Sequence, residues 1–309
     1  MGEIARPLLT DDQISSFLEA IDFKTFFSDK RNRHNVFPGR MDIGVVLGES
    51  VTLIKDANKD LLDVIENNTY DSDKNRSVPY KTDEAREELR GQILDELVTK
   101  KRPRNDEKIC LGTGGMLPHS GYIVDDRKAF IIIGLPASGK SGIAAKISDY
   151  FNALLIDSDF AKRKFPEYCK TNGATLVHKE SKFINNEILN AAISLGLNLV
   201  LPVIGNDLEG VKAQIESLKT HRYKVTLILV ELNRIKATQR AFIRFIKSKR
   251  YVPLSKVLDE YANDPSIVFY KLLRQNRNIP AALIDTDVPM ENKPNIVLQQ
   301  KFEEIHMII

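Results

Sequence analysis

The chain has 309 residues, of which 42% are hydrophobic and 28% charged, and a formal net charge of +3. These are ordinary values for a soluble globular protein, long for one domain and short for three. The small charge gives no support to a nucleic-acid partner, no apolar run reaches the length of a membrane span, and the two cysteines, Cys110 and Cys169, cannot build a secreted-type disulfide framework. A cytoplasmic, reducing location is the expectation. Residues 1–7 lack a signal-peptide core, and Arg6 stands where a myristoylation signal requires Ser or Thr.

Residues 1–125 read as a mostly helical region of unassigned role. Residues 10–21 look like a capped helix with Ile14, Phe17, Leu18 and Ile21 on one face. Residues 42–48 read as a short strand, and residues 50–65 as an amphipathic helix carrying Leu53, Ile54, Ala57, Leu61, Leu62 and Ile65. Residues 67–81 are polar and turn-rich, hence an exposed loop. Residues 82–98 form a third helix with Ile93, Leu94 and Leu97 inward. The basic run 100–104 reads as a solvated helix end in preference to a nuclear signal. The glycine-rich stretch 111–121 is either a plain flexible loop or a substrate-facing one.

From residue 126 to 309 the pattern is α/β, with a mainly parallel sheet flanked by helices. Strands are expected at 129–133, 153–156, 198–204 and 224–230, and helices at about 178–195, 208–221 and 233–250. The first strand runs into Gly134-Leu135-Pro136-Ala137-Ser138-Gly139-Lys140-Ser141-Gly142, which fits G-x-x-x-x-G-K-[ST] in its required strand–loop–helix setting. Gly134 and Gly139 let the backbone curl so that N–H groups face phosphate oxygens, and the following helix adds its positive end. Lys140 would neutralise the β- and γ-phosphates of ATP or GTP, and the Ser141 hydroxyl would bind Mg²⁺. In a parallel sheet, ligands sit beyond the carboxyl ends of the strands. That places Asp157, Asp159, Gly205 to Asp207 and the loop after Val230 around one crevice with this motif.

Asp157 and Asp159 end a strand, where one can face metal and phosphates and the other can take a substrate hydroxyl proton; a helix-capping turn is the competing reading. Arg240 and Arg244 lie four apart on a basic helix, as a lid gripping the transferring phosphate or as a solvated face. His178 at the start of its helix could be a surface residue or a helix-start contact, and Glu180 could simply complement the dipole.

This ordered series resembles the zeta-toxin kinases, which include the toxins of toxin–antitoxin pairs and related bacterial effector kinases. It comprises strand, G-x-P-x-S-G-K-S, Ile156-Asp157-Ser158-Asp159-Phe160-Ala161-Lys162, Pro166-Glu167-Tyr168, Val177-His178-Lys179-Glu180-Ser181, and Arg240 with Arg244 on a helix. The resemblance spans about residues 126–252. It implies an ATP- or GTP-dependent P-loop kinase acting on a hydroxyl of a nucleotide-type metabolite, with Asp159 as the base. It further implies that Arg240 and Arg244 form the lid and that Asp157, Lys162, His178, Glu180 and Ser181 shape the substrate site. An antitoxin partner, toxicity, and delivery as an effector all belong to what the family implies. The zeta toxins acting on UDP-N-acetylglucosamine carry a Glu and a Thr near the end of the third strand, where this chain has Leu201-Pro202-Val203-Ile204-Gly205. Apolar residues cannot make those hydrogen bonds, so the adenosine ribose of NAD stands beside the UDP-amino sugar as acceptor. Residues 1–125 stand outside the resemblance, as a cis-acting inhibitory segment or as part of the substrate site. A nucleotide-binding regulatory switch without an acceptor is the alternative function. A nucleic-acid kinase would need a basic, aromatic-lined groove, which the sequence does not suggest.

Overall fold

The computed structural model describes residues 11–28, 42–59, 61–248, 251–288 and 292–309. Gly2, Arg6, Thr10, Lys249, Arg250 and the Phe17 side chain lie outside what it describes.

Helices α1 (Asp11–Ala20), α2 (Phe23–Ser28), α3 (Ile43–Lys59) and α4 (Leu61–Glu66) come first. The strand expected at 42–48 is the first turns of α3. Val45-Val46-Leu47 has strand-like composition, but Val46, Ile54 and Ala57 share one buried helical face, and the Asp42 carboxylate caps the start by accepting from Val45 N–H at 3.0 Å. Helix α5 (Asp83–Thr99) matches the third expected helix, with Thr82 as its N-cap.

The α/β body follows: β1 (Lys128–Ile133), α6 (Lys140–Tyr150), β2 (Leu154–Leu155), α7 (Ser158–Lys164), α8 (Gly173–Leu176), α9 (His178–Leu195), β3 (Leu199–Val203), α10 (Leu208–Thr220), β4 (Lys224–Glu231) and α11 (Arg234–Ser248). Beyond it lie α12 (Asp264–Gln275), β5 (Ala281–Asp285), β6 (Asn295–Gln300) and α13 (Ile305–Ile308). The sheet order is β2-β3-β1-β4-β5-β6, parallel except for β6. β1 sits between β3 and β4, with Ile131 level with both Leu201 and Leu227. Its five apolar residues are buried on both faces, as a sheet covered by helices on each side requires. β2 pairs with only Leu199 and Val200, so Pro202 falls where one side of β3 has no neighbouring strand and its missing N–H costs little.

Two hydrophobic cores organise the chain. The larger lies on both sides of the sheet and includes Leu89, Ile93 and Leu97 of α5. The smaller joins Ile14, Leu18, Phe23, Phe27 and Ile54 of α1–α3 to Ala237, Ala241, Phe242 and Phe245 of α11, with Leu135 of the glycine loop at its edge. Phe23 and Phe242 stand 4.7 Å apart and are fully buried; each such ring contributes about 1.5–3 kcal/mol by leaving water. The first 125 residues are therefore split: α1–α3 cover the basic helix, whereas α5 belongs to the sheet core.

Arg86 of α5 is 0% exposed and bridges Glu167 (2.9 Å) and Glu180 of α9, which Arg90 also reaches at 3.1 Å. The Thr69 hydroxyl donates to Glu180 as well. Burial pushes the Glu167 carboxyl up, but the Arg86 guanidinium and the Ser77 N–H outweigh it and hold it below its ordinary value. The run 100–104 is only partly solvated, because Arg102 is buried and donates to Ser148 Oγ (2.9 Å) and Asp149 (2.7 Å) of α6. The glycine-rich stretch packs on the end of α5. A Cβ at Gly115 would lie 2.3 Å from the Lys100 carbonyl, and Gly112 N–H donates to the Glu96 carboxylate, itself bonded to buried Lys164 at 2.7 Å. At Gly112 and Gly115 the stretch is thus wedged against the end of α5.

Candidate active site

The phosphate loop leaves β1 and enters α6 at Lys140. A Cβ at Gly134 would meet the Val230 carbonyl at 2.5 Å and Ser138 Oγ at 3.0 Å, so only glycine lets the loop pass this close to the end of β4. Gly134 N–H donates to Ile204 O (3.1 Å), which ties the loop to the end of β3. Ala137 (φ 63°) and Gly139 (φ 96°) take left-handed conformations that fold the loop back on itself. The Lys140 ammonium donates to the carbonyls of Gly134 (2.6 Å) and Leu135 (2.7 Å), inside the curl it would share with a phosphate. Ser138 Oγ is buried and has no hydrogen-bond partner among the described residues. An orphaned hydroxyl, a lysine folded inward and a cradle that a Cβ would fill fit a phosphate chain. Ser141 and Gly142 are exposed on the first turn of α6.

Asp157 does cap a helix: its carboxylate accepts from Asp159 N–H at 2.9 Å and starts α7. The same turn puts Asp159 in the first helical turn, where Oδ1 lies 3.4 Å from Lys162 Nζ, with side chains 19% and 11% exposed. Capping and chemistry are thus compatible, since one carboxylate holds the turn that presents the other.

The segment after it divides. His178 is exposed at the head of α9, while Glu180 and Ser181 are both 0% exposed. Glu180 is held by Arg86 and Arg90, and Ser181 Oγ donates to the His178 carbonyl at 2.8 Å. Both side chains are buried, and their bonds tie α9 to α5 and to its own first turn.

On the other side of β1, basic residues of α11 reach the residues that follow β5. Arg240 donates to the Thr286 carbonyl at 3.2 Å, and Lys236 pairs with Asp287 at 2.5 Å. Arg244 is half-buried on the same helix. Between the loop and the ends of β4 and β5 lies a cleft of about 330 Å³, lined by Gly134, Leu135, Glu231, Asn263, Ser266 and Asp285, among others. Ser266 Oγ donates to Glu231 at 3.0 Å on its wall.

Sequence reasoning did not single out Glu231, Ser266, Asp285, Thr286 or Asp287. A signal existed: residues 283–287 read Leu-Ile-Asp-Thr-Asp, almost the Leu-Ile-Asp-Ser-Asp of residues 155–159. Among the described residues no group of three or more His, Cys, Asp or Glu side chains is placed to hold a metal ion. A magnesium ion here would rest on Ser141 and on the phosphates it accompanies. Among the described residues no helix is long and apolar enough to cross a membrane.

Comparison with curated proteins finds no match. Among solved structures, the chain is similar to one from the PezAT chromosomal toxin–antitoxin system of Streptococcus pneumoniae, at 15% identity and a TM-score of 0.49, over 74% of this chain and 87% of that one. It is also similar to a chain of the AvrRxo1-ORF1:-ORF2 assembly with ATP, at 15% identity and a TM-score of 0.45, over 72% of this chain and 70% of that one. Residues 124–272, from the lead into β1 through most of α12, match the zeta toxin family.

Proposed function

We propose that the protein is a small-molecule kinase that transfers the γ-phosphoryl group of ATP to a hydroxyl of a nucleotide-type metabolite. The carrying observation is the phosphate loop: its lysine is folded onto its own carbonyls, with an orphaned serine hydroxyl inside and an arginine-bearing helix docked beside it. Phosphoryl transfer needs mainly position and charge neutralisation, together with a carboxylate for the hydroxyl proton. Lys140 exchanges loop carbonyls for phosphate oxygens. Asp159, presented by the Asp157 cap, takes the acceptor proton. Arg240 and Arg244 neutralise charge on the transferring group. Ser141 would hold a magnesium ion, which supplies further charge neutralisation when bound. Lys162, beside Asp159, and exposed His178 face the acceptor, for which NAD and a UDP-amino sugar are the two candidates. The family suggests an antitoxin partner and toxicity to cells.

The test is mass spectrometry of a bacterial metabolite extract incubated with the purified protein and Mg-ATP, against a Lys140→Ala control. One metabolite gaining a phosphate only with the active protein is the expected result. Bound ATP with no phosphorylated product would overturn the kinase reading in favour of a regulatory switch.

A further inference from the structure

Thr286 follows the last residue of β5 and is 8% exposed. Its hydroxyl is 2.7 Å from the Ser138 carbonyl and 3.0 Å from the Glu231 carbonyl. Its own N–H already donates to Glu231 O at 3.1 Å, so the single hydroxyl proton is available for the shorter contact, to Ser138. Its carbonyl accepts from Arg240. Its methyl carbon lies 3.6 Å from where a Cβ on Gly139 would stand. One residue thus touches the end of β4, the curl of the phosphate loop and the arginine of the lid helix.

The loop is also held at its start by the Gly134 N–H on the Ile204 carbonyl, and from inside by Lys140 through the carbonyls of Gly134 and Leu135. On the kinase reading that staple is temporary, because phosphate oxygens compete for the same ammonium. The bond to the Ser138 carbonyl comes from the residue after β5 and involves no group that a phosphate would recruit, so a phosphate does not compete for it. It acts beside Ala137, whose positive φ of 63° is disfavoured for a residue with a Cβ, and before Gly139, whose φ of 96° glycine adopts freely.

We infer that Thr286 is a positioning residue: its hydroxyl fixes the Ala137–Gly139 curl in the conformation that aims the loop amides at phosphate, and its carbonyl docks Arg240 on the same point. The inference rests on the phosphate-binding reading of the loop, and its test separates the two.

Thr286→Val removes the hydroxyl while keeping the shape, and Thr286→Ser keeps the hydroxyl. Deuterium exchange in the ligand-free full-length chain reads the loop directly. In Thr286→Val, amides of residues 134–140 should exchange about three- to tenfold faster, with Thr286→Ser close to wild type. The dissociation constant for Mg-ATP should rise by a similar factor in Thr286→Val alone. Unchanged exchange at 134–140 in Thr286→Val overturns the inference, as does equal loosening in both variants. Faster exchange throughout the sheet, or a failure of Thr286→Val to fold while Thr286→Ser is native, would make Thr286 a residue of general stability and also overturn it. Should wild-type protein bind no Mg-ATP, the kinase reading falls, while the exchange data still decide whether Thr286 sets the loop.

Discussion

Two strands run out into almost the same five residues, Leu155-Ile-Asp-Ser-Asp159 from the end of β2 and Leu283-Ile-Asp-Thr-Asp287 from the end of β5. They stand on opposite sides of β1, each separated from it by one strand. Both make the same local turn: the first aspartate accepts from the N–H two residues on, at 2.9 Å in one and 2.7 Å in the other. Their surroundings differ. The first turn opens helix α7 and sets Asp159 beside Lys162. Among the described residues the second opens no helix; it buries Thr286 against the phosphate loop and gives its last aspartate to Lys236 of α11. A shared sequence thus fixes the turn, while the neighbours decide whether it opens a helix or clamps a neighbouring loop.

The sharpest way to break this contrast is to neutralise the last aspartate of each turn. Asp159→Asn should lower kcat for phosphoryl transfer about 10²–10⁴-fold, the range for removing a general base, whereas Asp287→Asn should change it less than about tenfold. Equal losses in steady-state assays would erase the distinction.

The first turn is also backed by a buried ion network, for which the second has no counterpart among the described residues. Arg86→Met leaves Glu167 and Glu180 buried without their shared cation and should cost about 3–5 kcal/mol in urea unfolding. A smaller loss, under about 1 kcal/mol, would show that those carboxylates are protonated or hydrated instead.

Acid should loosen the same side. Burial pushes Glu96 up, but hydrogen bonds from Lys164, Gln92 and the Gly112 N–H outweigh it and hold the carboxyl at about 2, against an ordinary value of 4.5. A carboxylate with a depressed native pKa contributes stability above pH 4.5 and loses it as the pH falls towards 2. The urea midpoint should drop across that window, and Glu96→Gln should flatten the drop. The mildest comparison removes the turns themselves. Asp157→Ala deletes a helix N-cap and should cost about 1 kcal/mol, whereas Asp285→Ala, which caps no helix, should cost less in the same melts.

Periodicity and turn chemistry made the α/β body legible because its strands are continuous apolar runs and its helices are punctuated. The expected helix over 178–195 and the observed His178–Leu195 show how far that reaches. The start of α3 was not legible, since the β-branched Ile43, Val45 and Val46 outweighed a face spaced by four that only the second core makes meaningful. Pattern analysis named no element beyond residue 250, although the apolar Ala281-Ala-Leu-Ile284 is bounded by Pro280 and Asp285. In the site, the phosphate loop and the Asp-Ser-Asp turn carry their chemistry in contiguous residues. Glu180 and Arg102 do not. The partner that buries Glu180 lies 94 residues away in sequence, and Arg102 bonds Ser148 across 46 residues. No local rule distinguishes such residues from solvated ones.

The division of α1–α3 and α5 between two cores bears on what can be cut from this molecule. A fragment starting where the family match starts would strip Phe242 and Phe245 of their cover, remove Leu89, Ile93 and Leu97 from the sheet, and take Arg86 away from two buried carboxylates. The part recognisable by kinship is therefore smaller than the part that folds. Excision, as a route to the isolated catalytic body, would yield a chain with two raw apolar faces and an uncompensated negative pair.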